Sequence, residues 1–191
     1  MNRFSIEQGD ALELMKKLPD ESIDAVITDP PYGINYNSNR YKNGNPFSSI
    51  KNDHLIFFPI DEMLRVLRPT GALFAFYSFK RPVMDERIKN SIVWVKNNWS
   101  AGDLNGDFGN QYEQVLFIPR EKFRIHSKRY SNVWAFDKVP ATELVHPTQK
   151  PLIAWNPTWS ISQLMQLNRQ SWRWKFDPRD PQPPPPCSIW Q

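Results

Sequence analysis

Glycine is scarce in this chain and stops early. All seven glycines of the 191 residues lie between positions 9 and 109, and no two are spaced Gly-x-Gly. That spacing lets a backbone approach a nucleotide or cofactor closely, so a turn of that form is missing from the sequence. Cysteine is scarcer still. Cys187 stands alone, which excludes an internal disulfide and a cysteine-based metal cluster. The three histidines, His54, His126 and His146, show no ligand spacing, and His54 and His126 read as ordinary polar residues. No apolar run approaches the ~20 residues needed to cross a bilayer. Met1-Asn2-Arg3-Phe4 reads as the start of a strand rather than of a signal peptide. These absences predict a cytoplasmic protein without membrane contact. The net charge of +4 permits a polyanionic partner without requiring one.

What is present centres on Asp29-Pro30-Pro31-Tyr32. The preceding run, Ile23 to Thr28, is β-branched and apolar and predicts a buried strand of parallel type. Two consecutive prolines then force an extended turn, because each fixes φ and restricts the residue before it. Asp29 is thereby expected at the carboxyl end of a strand, where open α/β sheets place their ligands. Its carboxylate can accept a hydrogen bond from an exocyclic amino group on a planar base. The Pro30 carbonyl can accept the second amino hydrogen, and Tyr32 offers a ring for the base to stack on. The competing reading is a proline-rich turn in which Asp29 only caps a helix. A chance match to these four residues is expected about once in a thousand chains of average composition, so it competes weakly.

Hydrophobic period sets the rest of the organisation. Phe4 and Ile6 alternate with polar residues as a first strand, and Asp10 caps a short helix burying Ala11, Leu12, Leu14, Met15 and Leu18. Residues 33–52 predict a long loop, of the kind that is usually functional or disordered. A helix from Asp53 buries Ile56, Ile60, Met63, Leu64 and Leu67, with Pro59 distorting its first turns. A strand over 72–77, a short helix near 80–88 and strands near 91–96 and 113–118 complete a mixed, largely parallel sheet. A chain of this length buries roughly 70 % of its unfolded surface, enough for one α/β core.

Several stretches resemble, in order, the amino-methylating DNA methyltransferases. They are Gly9-Asp10-Ala11-Leu12-Glu13-Leu14, Asp29-Pro30-Pro31-Tyr32-Gly33-Ile34, Gly71 to Phe76, Ile92 to Asn98, Tyr112 to Phe117 and His146-Pro147-Thr148-Gln149-Lys150-Pro151. Their order is similar to the permuted class, in which the catalytic half precedes the cofactor half. The resemblance implies an α/β fold, a partial Rossmann-like methyltransferase sheet, over residues 1–155. It implies methyl transfer from S-adenosylmethionine to a flipped base in double-stranded DNA, as in restriction–modification systems. Asp29, Pro30, Pro31 and Tyr32 would be catalytic. Asp10, His146, Thr148, Gln149 and Lys150 would bind the cofactor, with Lys150 pairing with its carboxylate; Asp10 reads equally as a plain helix cap. An aspartate at position 29 favours adenine N6 over cytosine N4, where the family more often has serine.

Two other segments invite function. Residues 97–111 hold Trp99 and Phe108 among glycines and asparagines, where the family places substrate-contacting loops, although a long hairpin connection explains them equally well. Arg120, Lys122, Arg124, Lys128 and Arg129 face one acid, Glu121, and suit phosphate contacts as well as they suit a solvated charged face. The tail differs in kind. From Leu152 to Gln191 there are five of the eight tryptophans, seven of the eighteen prolines and no glycine. The family's Phe-x-Gly-x-Gly turn is missing, and Asp177-Pro178 is its nearest echo. Residues 156–191 therefore read as an irregular Trp/Pro-rich tail, poorly ordered and foreign in composition, such as a frameshift gives, or else as a tryptophan-rich ligand-binding tail. The expectation is an adenine-N6 methyltransferase with compromised cofactor binding. The alternatives are a cytosine-N4 enzyme and a non-catalytic DNA-binding remnant.

Overall fold

The computed structural model describes residues 7–31, 33, 58–99, 108–125, 130–140, 142–143 and 149–151. The expected first strand at Phe4 and Ile6, the 34–52 part of the loop, Ile56, Tyr32, His126, His146, Thr148, Lys128, Arg129 and the 156–191 tail lie outside them. Among the described residues no helix is long and apolar enough to cross a membrane.

Helix α1, Ala11–Met15, starts where Asp10 accepts a hydrogen bond from the Glu13 amide at 3.1 Å. That satisfies one of the amides a helix start leaves unpaired. Strand β1 spans Ile23–Thr28, helix α2 spans Ile60–Val66, and β2 spans Leu67–Tyr77. Strands β3, Asn90–Val95, β4, Tyr112–Pro119, and β5, Val133–Ala135, follow. The sheet order is β1-β2-β4-β3-β5. Strands β1 and β2 are parallel and joined through α2, which is the βαβ unit from which Rossmann-like sheets are built. The α/β class is therefore as the sequence predicts.

Several details differ from expectation. The helix expected from Asp53 to Leu67 starts only at Ile60, with Pro59 at its cap rather than within its first turns, and Leu67 already belongs to β2. The sheet is evenly mixed rather than largely parallel, because β4 runs antiparallel to both β2 and β3. Strands β3 and β4 are consecutive along the chain and antiparallel neighbours, a pairing that needs no crossover helix. The helix near 80–88 is absent. Pro82 removes a donor there, and Asp85 takes the Arg87 amide at 2.9 Å and its guanidinium at 2.8 and 2.7 Å. Such local side-chain bonds compete with a helix. Strand β2 also starts five residues early: Ile23 pairs with Leu67 and Ala25 with Ala72, so residues 68–71 bulge. Pro69 is tolerated in that bulge because no ladder amide is needed. Gly71 permits the close approach, since a Cβ there would lie 2.7 Å from the Asp24 carbonyl. The short strand β5 was not visible in the sequence pattern.

Alternation on the strands buries both faces. One face packs Leu73, Ala75 and Ile118 against Met15, Ile60, Met63 and Leu64 of the helices. The other holds Phe74, Phe76, Trp94, Val115 and Phe123, with Phe117, Trp134 and Phe136 against them. Trp94 stacks on Phe136 at 5.0 Å and donates its indole N–H to the Phe136 carbonyl at 2.8 Å, so its one polar atom is satisfied.

Candidate active site

Topology brings four chain segments to one edge of the sheet. Strands β1 and β2 end there, antiparallel β4 begins there, and β3 ends there. Asp29 follows β1 directly, as the double proline predicts, with Pro30 buried behind it. Gly33 takes φ 67°, a left-handed conformation that favours glycine, and turns the chain after the motif.

The ammonium of Lys150 reaches Asp29 Oδ2 at 2.8 Å and Glu113 Oε2 at 3.1 Å. Glu113 uses its other oxygen, Oε1, to hold Lys96 Nζ at 2.9 Å. Two cations and two carboxylates thus form a chain of zero net charge, Asp29–Lys150–Glu113–Lys96. The Lys150 side chain is only 4 % exposed, while Asp29 and Glu113 are 19 % and 25 % exposed. Lys150 also lies 5.0 Å from the centre of the Phe76 ring, whose face attracts a cation. Burial alone would pull the Lys150 ammonium down. Asp29 and Glu113 outweigh that and hold it above the ordinary lysine range. For Glu113, burial pushes upward, and Lys150 and Lys96 overcome it to hold the carboxyl below its usual range. Both shifts favour the charged forms of Lys150 and Glu113.

The sequence-derived candidates divide. Asp29, Pro30, Gln149 and Lys150 converge at this edge. Pro31 adjoins them and is half-buried. Asp10 is exposed, and its carboxylate caps α1. Trp99 and Phe108 flank the same edge, beyond the end of β3 and before the start of β4, and are 67 % and 92 % exposed. The described part of the basic segment is not brought to Asp29. Arg120, Lys122 and Arg124 follow the end of β4, at the opposite edge. Arg120 donates to the Leu64 carbonyl at 3.0 Å and pairs with Glu121 at 3.1 Å, and Arg124 donates to the Phe123 carbonyl at 2.8 Å. A recess at this opposite edge is lined by Asp20, Glu21, Arg65 and Arg120. Its charges are already paired with one another, so it offers no reactive group. Among the described residues no group of three or more His, Cys, Asp or Glu could hold a metal ion.

Glu113 and Lys96 were missed as site residues. Their signal was a lone charge at the end of an otherwise apolar strand: Glu113 ahead of Val115-Leu116-Phe117-Ile118, and Lys96 after Ile92-Val93-Trp94-Val95.

Several methyltransferases are similar in sequence to part of this chain. The chain is 25 % identical over 187 residues to the type II methyltransferase M.HinfI of Haemophilus influenzae, covering 77 % of this chain and 52 % of that one. It is 32 % identical over 127 residues to the DNA adenine methyltransferase YhdJ of Escherichia coli, covering 61 % and 41 %. It is 39 % identical over 114 residues to the type II methyltransferase M.BamHI of Bacillus amyloliquefaciens, covering 57 % and 25 %. The chain thus spans about half or less of the length of each of these relatives. A family model described as DNA methylase, covering N6 and N4 methyltransferases, matches residues 23–155, more than half of the chain. The protein belongs to that DNA methylase family.

Proposed function

We propose that this chain carries the catalytic half of a DNA methyltransferase that transfers a methyl group from S-adenosylmethionine to adenine N6. One observation carries the reading. The resemblance gives Asp29 to the base and Lys150, 121 residues away, to the cofactor, and their side chains meet at 2.8 Å at the strand ends, where open α/β sheets bind ligands. In this mechanism the target base is extruded from the duplex, at a cost of a few kcal/mol in lost stacking. Asp29 and the Pro30 carbonyl accept the two amino hydrogens, which aligns the nitrogen lone pair and stabilises charge developing on it. Tyr32 stacks on the base. These residues act by positioning and electrostatics rather than by covalent chemistry.

Bound S-adenosylmethionine supplies an electrophilic methyl group on its sulfonium. By the resemblance, Asp10, His146, Thr148 and Gln149 would hold the cofactor; Asp10 caps α1, and His146 and Thr148 lie outside the described residues. Lys150 already serves two carboxylates, so its hold on a cofactor carboxylate is shared. The glycine turn is missing from the sequence, and we expect this chain alone to bind the cofactor far more weakly than a full-length relative does. Phosphate contact by Lys122 and Arg124 would fall about one β4 length, roughly 26 Å, from the flipped base; Lys128 and Arg129 lie outside the described residues. The adenine preference rests on Asp29 and on the likeness to YhdJ; cytosine N4 is the second reading.

The test is radiolabelled transfer to double-stranded DNA followed by nucleoside mass spectrometry. Slow formation of N6-methyladenine, lost in Asp29→Ala, is expected. Label on cytosine N4 would establish the second reading. DNA binding with no cofactor binding at millimolar concentration would leave a non-catalytic remnant. The tail carries its own test. Another forward frame of the coding DNA beyond about codon 155 should encode an apolar strand, Asp-Pro-Phe and a glycine-rich turn, and its absence there would end the frameshift account.

A further inference from the structure

We infer that Glu113 is a positioning residue of the site: anchored on β4 and braced by Lys96, it fixes the Lys150 ammonium, which in turn sets the orientation of the Asp29 carboxylate. The inference deepens the methyltransferase reading and takes its functional meaning from it. Of the four charged residues, Glu113 alone lies within a strand. Asp29 follows β1, Lys96 follows β3, and Lys150 stands in a short stretch without regular structure. Strand β4 lies at the centre of the sheet, between β2 and β3, and is hydrogen-bonded on both sides, which makes it a firm support at this edge.

The geometry gives each oxygen of Glu113 a separate task. Oε1 holds Lys96 at 2.9 Å and Oε2 holds Lys150 at 3.1 Å. An ammonium gripped by Asp29 alone could swing about that one contact. Gripped from two sides, and lying over the Phe76 ring at 5.0 Å, it has one place to be. A catalytic carboxylate must be held within a fraction of an ångström and about 10–20° of its productive geometry, and such support comes from groups behind it. Lys96 lies over the Trp94 ring at 5.5 Å, and Trp94 is buried in the core, so the brace ends on rigid structure.

The experiment needs neither DNA nor cofactor, so its outcome is independent of whether methyl transfer occurs. The whole chain is labelled with 15N-lysine and 13C-aspartate. Proton-detected spectra then follow the Lys150 ammonium, and carbon-detected spectra follow the Asp29 carboxyl. In the wild type, the Lys150 ammonium should give a slowly exchanging signal. Glu113→Gln, close in shape, should erase that signal and move the Asp29 carboxyl resonance. Glu113→Asp should restore part of both, and Lys96→Gln should give a smaller change of the same kind. A titration of the unmodified chain gives a second reading without any variant: the Lys150 signal should fade as acid protonates Glu113. Unmoved Lys150 and Asp29 signals in folded Glu113→Gln, or a Lys150 signal indifferent to Glu113 protonation, would overturn the inference.

Discussion

The two edges of the sheet carry similar numbers of charges and use them differently. At the edge where β1 begins and β4 ends, arginines are tied to backbone. Arg65 donates to the Leu18 carbonyl at 3.0 Å and the Met15 carbonyl at 2.9 Å while pairing with Glu62 and Asp20. Arg120 donates to the Leu64 carbonyl at 3.0 Å. These bonds satisfy carbonyls at the ends of α1 and α2 and lock the turn that leads into β1, so their role is structural. At the opposite edge Asp29, Lys150, Glu113 and Lys96 bind mainly one another, three of them on segments outside strands. A buried ion chain of that kind gains little stability, because desolvation offsets most of the attraction. The proposed catalytic role gives a reason to keep one there, since local rules are expected to fail at functional sites.

The largest effect that would sharpen this contrast lies in catalysis. Asp29→Ala should lower the initial rate of methyl transfer by at least ~10³-fold, the scale of losing a preorganised transition-state contact. Its thermal midpoint should stay near the wild-type value, because Glu113 still pairs with Lys150. Near-normal transfer in that variant would remove the assigned role.

Next is Lys150→Met, which leaves two largely buried carboxylates without their shared cation. Urea denaturation should show a loss of about 3 kcal/mol. The sign with pH follows from the two shifted groups. Lys150 is raised, so its contribution is complete below the ordinary lysine value of 10.5 and is lost as pH rises through its folded value. Glu113 is lowered, so its contribution is complete above 4.5 and is lost as pH falls through its folded value. The gap between wild type and Lys150→Met should therefore be widest between these limits and narrow on either side. A gap constant from pH 3 to pH 11 would contradict the ion chain.

At the other edge, Arg65→Ala should lower the urea midpoint by less than Lys150→Met does and leave methyl transfer unchanged. A loss of transfer at constant stability would break the division between the edges. The smallest effect concerns Glu21, whose φ of 52° is unusual for a residue with a side chain. Glu21→Asn should gain about 0.5 kcal/mol by relieving that conformation. The exposed pair with Arg120, at 3.5 Å, costs little to lose. Differential scanning calorimetry reads that gain.

Much of this contrast was legible in the sequence, and its limits have physical causes. Strand β1 and the position of Asp29 follow from a β-branched run stopped by two prolines, both local effects. The cap at Asp10 is equally local. The ion pair of Asp29 with Lys150 was not foreseen: the resemblance gives Lys150 to the cofactor carboxylate, and no local rule links residues so far apart. The helix expected near 80–88 failed because Asp85 offers the chain a competing turn, which residue counting does not weigh. The mixed direction of the sheet and the role of Glu113 depend on which strands become neighbours. A lone glutamate ahead of an apolar run shows a charge at a strand end, not which lysines will reach it.

The most direct measurement treats Asp29 and Lys150 as a unit. Asp29→Leu/Lys150→Met removes one charge of each sign and leaves the Glu113–Lys96 pair intact. If this edge is retained for chemistry, the urea midpoint of the double variant should match or exceed that of the wild type, as when buried ion pairs are replaced by apolar groups. A midpoint as low as that of Lys150→Met alone would show that the pair holds the fold together, and would contradict the account.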